Sequence, residues 1–79
     1  MLERIEINSS ILAGKPIIKG TRMSVEFILE LFSSNMSMES IIKEYPHLSK
    51  QDILAAVNYA ANIVKREEII SPLETLKAR

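Results

Sequence analysis

The chain has 79 residues, ten basic and ten acidic side chains, one histidine and no cysteine. That composition removes disulfides, thiolate zinc sites, cysteine nucleophiles and any metal site built from several imidazoles. A formal net charge of zero argues against a strong non-specific nucleic-acid binder, which normally carries a basic surplus.

The charge is spread unevenly: +2 over residues 1–22, −3 over 23–48 and +1 over 49–79. A domain this small buries only about 60–65 % of its unfolded surface. Oligomerisation is the remaining supplement to such a core, and the 47 % hydrophobic content points the same way, so a homodimer is expected. Glu3 and Glu6 interrupt the N-terminus and no apolar leader-like run follows. The apolar runs elsewhere are too short to cross a bilayer. A cytoplasmic protein with no membrane partner is the expectation.

In chain order, Ile5 and Ile7 alternate with charges and Pro16-Ile17-Ile18 forms a second β-like run. The intervening Asn8–Lys15 contains Gly14, which predicts a β-arm or loose hairpin. Val25, Ile28, Leu29 and Phe32 then recur at helical spacing, with Ser24 as N-cap, Glu26 in the first turn and Asn35 at the left-handed C-terminal position. Phe27 and Leu31 form a second stripe, so this helix must meet two partners. Ser37 caps a short second helix with Met38, Ile41, Ile42 and Tyr45 on one face, closed by Pro46. Met36 and Met38 read as core gap-fillers.

Ser49 and Asp52 resemble a capping box at the start of the longest helix, whose apolar face is expected at Ile53, Val57, Ala60, Ala61 and Val64. Ser71-Pro72-Leu73-Glu74 predicts a separate fourth helical turn to about Lys77, frayed or ordered by a partner. The resulting fold class is mainly α: a three-helix, helix-turn-helix core with a short N-terminal β-arm or hairpin. The organisation is a single domain, 1–79, divided into arm 1–22, tri-helical core 24–68 and C-terminal tail 69–79.

The segment Gly14-Lys15-Pro16-Ile17-Ile18-Lys19-Gly20-Thr21-Arg22 stands out. Glycines let backbone amides approach an anion, and Lys15, Lys19 and Arg22 would favour phosphate. The order is not that of a Walker A loop. A second reading stays open, in which Gly20 supplies a turn, Thr21 bonds locally and the cations are solvated. Helices two and three, joined by the short Tyr45–Ser49 connection, fit a helix-turn-helix. Its groove-entering end would present Ser49, Lys50 and Gln51, with Asn58 further along. Glu39 and Glu44, with only Lys43 beside them, weigh against laying helix two across phosphates.

His47 sits in a turn after helix two, where a cation complements the helix dipole. The carboxylate pairs Glu26/Glu30 and Glu67/Glu68 lack histidine or metal companions and read as solvated faces. No set of residues passes the geometric test for catalysis, so no enzyme activity, cofactor or metal is expected.

The run Gly14-Lys15-Pro16 … Gly20-Thr21-Arg22, with Val25, Met36-Ser37, Tyr45-Pro46-His47-Leu48, Ala55-Ala56 and Tyr59-Ala60, resembles the domain of unknown function 433 family over about residues 5 to 64. Asn35 stands where that family usually has glycine. The resemblance implies a homeodomain-like fold and an antitoxin of a type II toxin–antitoxin pair, partnered by a PIN-like nuclease toxin and binding operator DNA for autoregulation. On that reading Lys15, Lys19, Thr21, Arg22, Ser49, Lys50 and Gln51 are candidates for DNA. The tail supplies toxin contacts: Ile69, Ile70, Leu73 and Leu76 for a groove, and Arg66, Lys77 or Arg79 to reach an acidic metal site. The alternatives are a DNA-binding transcriptional regulator without a toxin and an interaction module with no nucleic-acid role.

Overall fold

The computed structural model describes residues 2–77, with side chains from Glu3 to Arg66. One 3-10 turn, Leu2–Arg4, leads into strand β1 (Ile5–Ile7), which pairs antiparallel with β2 (Pro16–Ile18) in the register Ile5–Ile18, Glu6–Ile17, Ile7–Pro16. Three helices follow: α1 (Val25–Ser33), α2 (Met38–Glu44) and α3 (Lys50–Lys77). The fold is mainly α with a short β-arm, as the spacing of the sequence predicts.

Local chemistry sets most of the boundaries. The β1–β2 connection closes through Leu12, Ala13 and Gly14, all left-handed at φ 49°, 57° and 83°. After β2, Gly20 at φ 81° turns the chain back. The Thr21 hydroxyl locks that turn, donating to the Ile18 carbonyl at 2.8 Å and accepting from the Met23 amide at 2.9 Å. The returning strand makes a single bridge, Ile17 to Ser24, and Ser24 then caps α1 by accepting from the Phe27 amide at 2.9 Å.

Asn35, at φ 72°, ends α1 in a Schellman motif. The Met36 amide donates to the Leu31 carbonyl (3.2 Å) and the Asn35 amide to that of Phe32 (2.9 Å). Ser37 caps α2 through the Ser40 amide at 3.1 Å. The capping box of α3 is reciprocal: the Asp52 amide donates to Ser49 Oγ and the Ser49 amide to Asp52 Oδ2, each at 3.0 Å.

One core cluster joins the arm to all three helices: Ile5, Ile18, Val25, Ile28, Ile41, Leu48, Ile53, Ala55 and Ala56. Met36 and Met38 are half-buried against it, the gap-filling place expected of them. Ile17 is also fully buried, on the opposite side of β2 and outside that cluster. The doubly striped α1 packs on both α3 and β2. Its second stripe reaches α2 through Phe27, whose ring meets Tyr45 edge-on at 5.9 Å.

Two expectations about α3 are corrected. Its buried side is Ile53, Ala55 and Ala56, with Ala60 half-buried, whereas Val57, Ala61 and Val64 are exposed. Apolar residues lie on several sides of this helix, and the small alanines, not the valines, allow the close approach of α1. Nor does Ser71-Pro72 begin a new helical turn, because α3 runs unbroken to Lys77. Extending an existing helix costs less than nucleating another, although a proline inside a helix both gives up its amide bond and crowds the carbonyl four residues back. No helix among the described residues is long and apolar enough to cross a membrane.

Candidate functional site

Three surfaces carry the candidate residues. The first is the basic arm. Lys15 makes an ion pair with Glu26 at 2.9 Å, both side chains more than half exposed. The hydrogen bond and the charge of Glu26 raise the Lys15 ammonium above its ordinary value. An exposed pair of this kind adds little stability but ties the arm to the first turn of α1. The hydroxyl of Thr21 is consumed by its own turn, and the positive φ of Gly14 and Gly20 accounts for both glycines. Lys19 and Arg22 are exposed and make no ion pair among the described residues.

The second surface is the start of α3. Arg4 reaches across from the arm and donates to Asp52 Oδ1 at 2.9 Å. The Lys19 amide bonds the Arg4 carbonyl at 2.9 Å, so the basic turn after β2 lies beside the first turn of α3. Burial pushes the Asp52 carboxyl upward, but the Ser49 backbone bond and the Arg4 guanidinium outweigh it and hold the group below its ordinary value. Ser49 Oγ is committed to the cap, leaving Lys50 and Gln51 exposed. Gln51, Leu54 and Asn58 share one side of the helix and, with Glu3, Arg4 and Ala55, line a shallow recess of about 240 Å³. The exposed Leu54 and the closing role of Arg4 escape a sequence reading. The Arg4–Asp52 contact joins residues 48 positions apart, and nothing local signals it.

The third surface is a groove of about 470 Å³ between α1 and α3, with Pro16 at its edge. Val25, Glu26, Leu29, Glu30 and Ser33 form one wall, and Tyr59, Ala60, Ile63 and Val64 the other. Leu29, Ile63 and Val64 are 37 %, 39 % and 57 % exposed, although Leu29 and Val64 fall on apolar stripes that read as core. Arg66 is exposed just beyond the groove, and the side chains of Ile69, Ile70, Leu73 and Leu76 lie outside the described residues. Among the described residues no group of three or more His, Asp or Glu is placed to hold a metal ion.

Fold and surfaces together define a small, mainly α protein. A glycine-bracketed β-arm is pinned against its last helix, and its polar and apolar faces are separate. The match to a family model over residues 5–60 makes the assignment specific: the chain belongs to the family described as "Protein of unknown function (DUF433)". No curated protein and no solved structure matches it.

Proposed function

We propose that this chain works by binding and not by catalysis, as the antitoxin of a type II pair that neutralises a PIN-like nuclease in the cytoplasm and binds its own operator. The observation that carries this reading is the length of α3. Ala60 is the last described residue packed on the core, yet the helix continues to Lys77. In water, a helix extension of that kind depends on packing an apolar face. The sequence provides Ile69, Ile70, Leu73 and Leu76 for a partner's groove, with Arg66 at its root. The test is co-expression with the product of the neighbouring gene, followed by affinity capture of either protein. A stoichiometric complex supports the proposal, and failure to co-purify refutes it.

Operator binding draws on Lys19 and Arg22 of the arm together with Lys50 and Gln51, the candidates whose polar groups are not already engaged within the fold. The Gln51–Asn58 side of α3 also favours a second reading, a DNA-binding regulator without a toxin, since Gln and Asn pair well with adenine edges. Titrating operator DNA at several salt concentrations separates these readings from a plain interaction module. Three or four phosphate contacts give a log–log slope of about −3. A flat slope with no retained DNA removes the nucleic-acid role.

A further inference from the structure

The groove between α1 and α3 is lined almost wholly by carbon, yet it is open in the single chain. Its walls are regular. Val25, Leu29 and Ser33 recur every four residues on α1, and Tyr59 and Ile63 do so on α3, the ridge spacing into which another helix packs. The edges carry opposite charge. Glu30 borders the α1 wall, exposed and in no ion pair among the described residues, although its charge also acts on the Lys15 ammonium beside Glu26. Arg66 lies three residues beyond Ile63 and seven beyond Tyr59, and so on the same side of α3. It too is exposed and makes no ion pair among the described residues.

One patch with an acidic edge on one wall and a basic edge on the other is complementary to itself. A twofold axis brings the α1 edge of each copy to the α3 edge of its mate. We propose that the chain forms a symmetric homodimer through this groove, with Ile63 and Val64 of each copy packed against Leu29 and Tyr59 of the other and Glu30 paired with Arg66 across the interface. A second copy fits better than an unrelated partner because both charges of the pair are already present on the same chain. The core of so short a chain also gains most from added burial. The dimer does not depend on the nuclease reading. It draws on Arg66, also a candidate for the nuclease, and leaves Ile69, Ile70, Leu73 and Leu76 for another protein.

The test is sedimentation equilibrium on the full chain over micromolar to submillimolar concentration, with circular dichroism as the folding control. The wild type is expected at twice its 8.9 kDa chain mass. Leu29→Glu and Ile63→Glu alter exposed positions, so helicity should persist while the dimer dissociation constant rises about tenfold or more. Glu30→Lys and Arg66→Glu should each weaken association, and the two combined in one chain should restore it. A wild type that stays monomeric throughout, or a dimer indifferent to Ile63→Glu, overturns the proposal. A double charge exchange weaker than either single variant overturns the Glu30–Arg66 pairing and the symmetric register built on it.

Discussion

Asp52 has two partners at once: it closes the α3 capping box and receives the Arg4 guanidinium from the arm. Asp52→Ala keeps the Ser49 cap but loses the bonds from the Ser49 amide and the Arg4 guanidinium, and should cost about 1–2 kcal/mol as read by urea unfolding. Its folded-state pKa is depressed, so its contribution is fully present above the unfolded carboxyl range near pH 4 and is lost as pH falls through the lower folded value. The stability gap between wild type and Asp52→Asn should therefore narrow on acidification from about pH 6 to about pH 2; a gap independent of pH would contradict the assignment. Thr21 offers a contrast with the DNA-contacting role its neighbours suggest. Thr21→Val strands the Met23 amide, while the Ile18 carbonyl still accepts from the Thr21 backbone amide at 3.0 Å, and should destabilise by about 1–2 kcal/mol. Thr21→Ser keeps both bonds and should be nearly neutral. Ala13, at φ 57°, is held in a left-handed conformation that costs an alanine about 1 kcal/mol. Ala13→Gly should accordingly raise the unfolding midpoint slightly.

At the scale of elements, boundaries written in neighbouring residues were legible in advance. Ser24, Ser37 and Ser49 cap the three helices, and Asn35 ends the first, because each bond spans only a few positions. The buried side of α3 was not legible. Val57, Ala61, Ile63 and Val64 compete with Ala55, Ala56 and Ala60, and which of them meets α1 depends on packing between distant segments. Leu29 misleads for the same reason, since α1 has a wide apolar face and the groove uncovers its edge. The arm was legible as two strands, but its attachment to α3 through Arg4 was not. Truncation separates the two sides of α3. Ile53→Ala, at a fully buried position, should cost about 2–4 kcal/mol and threaten folding outright. Val57→Ala, at 38 % exposure, should cost well under half as much by the same unfolding measurement.

Across the whole molecule the candidate surfaces separate by chemistry. The arm and the start of α3 present Lys19, Arg22, Lys50 and Gln51. The groove presents Leu29, Ile63 and Val64, and the far part of α3 continues beyond the core to Lys77. The acidic stretch 23–48 contributes Glu26 and Glu30 to the groove wall, so the uneven charge is divided among surfaces although the chain is neutral. By residue, the proposed DNA surface and the groove are distinct, whereas Arg66 is a candidate both for the second copy and for another protein. The most direct test of the antitoxin reading is nuclease inhibition: the product of the adjacent gene is assayed for RNA cleavage while this chain is titrated in. Activity should fall to zero at a fixed stoichiometric ratio, and Leu73→Asp with Leu76→Asp should abolish the loss while leaving the fold intact. Nuclease activity undiminished by excess wild-type chain would contradict the account.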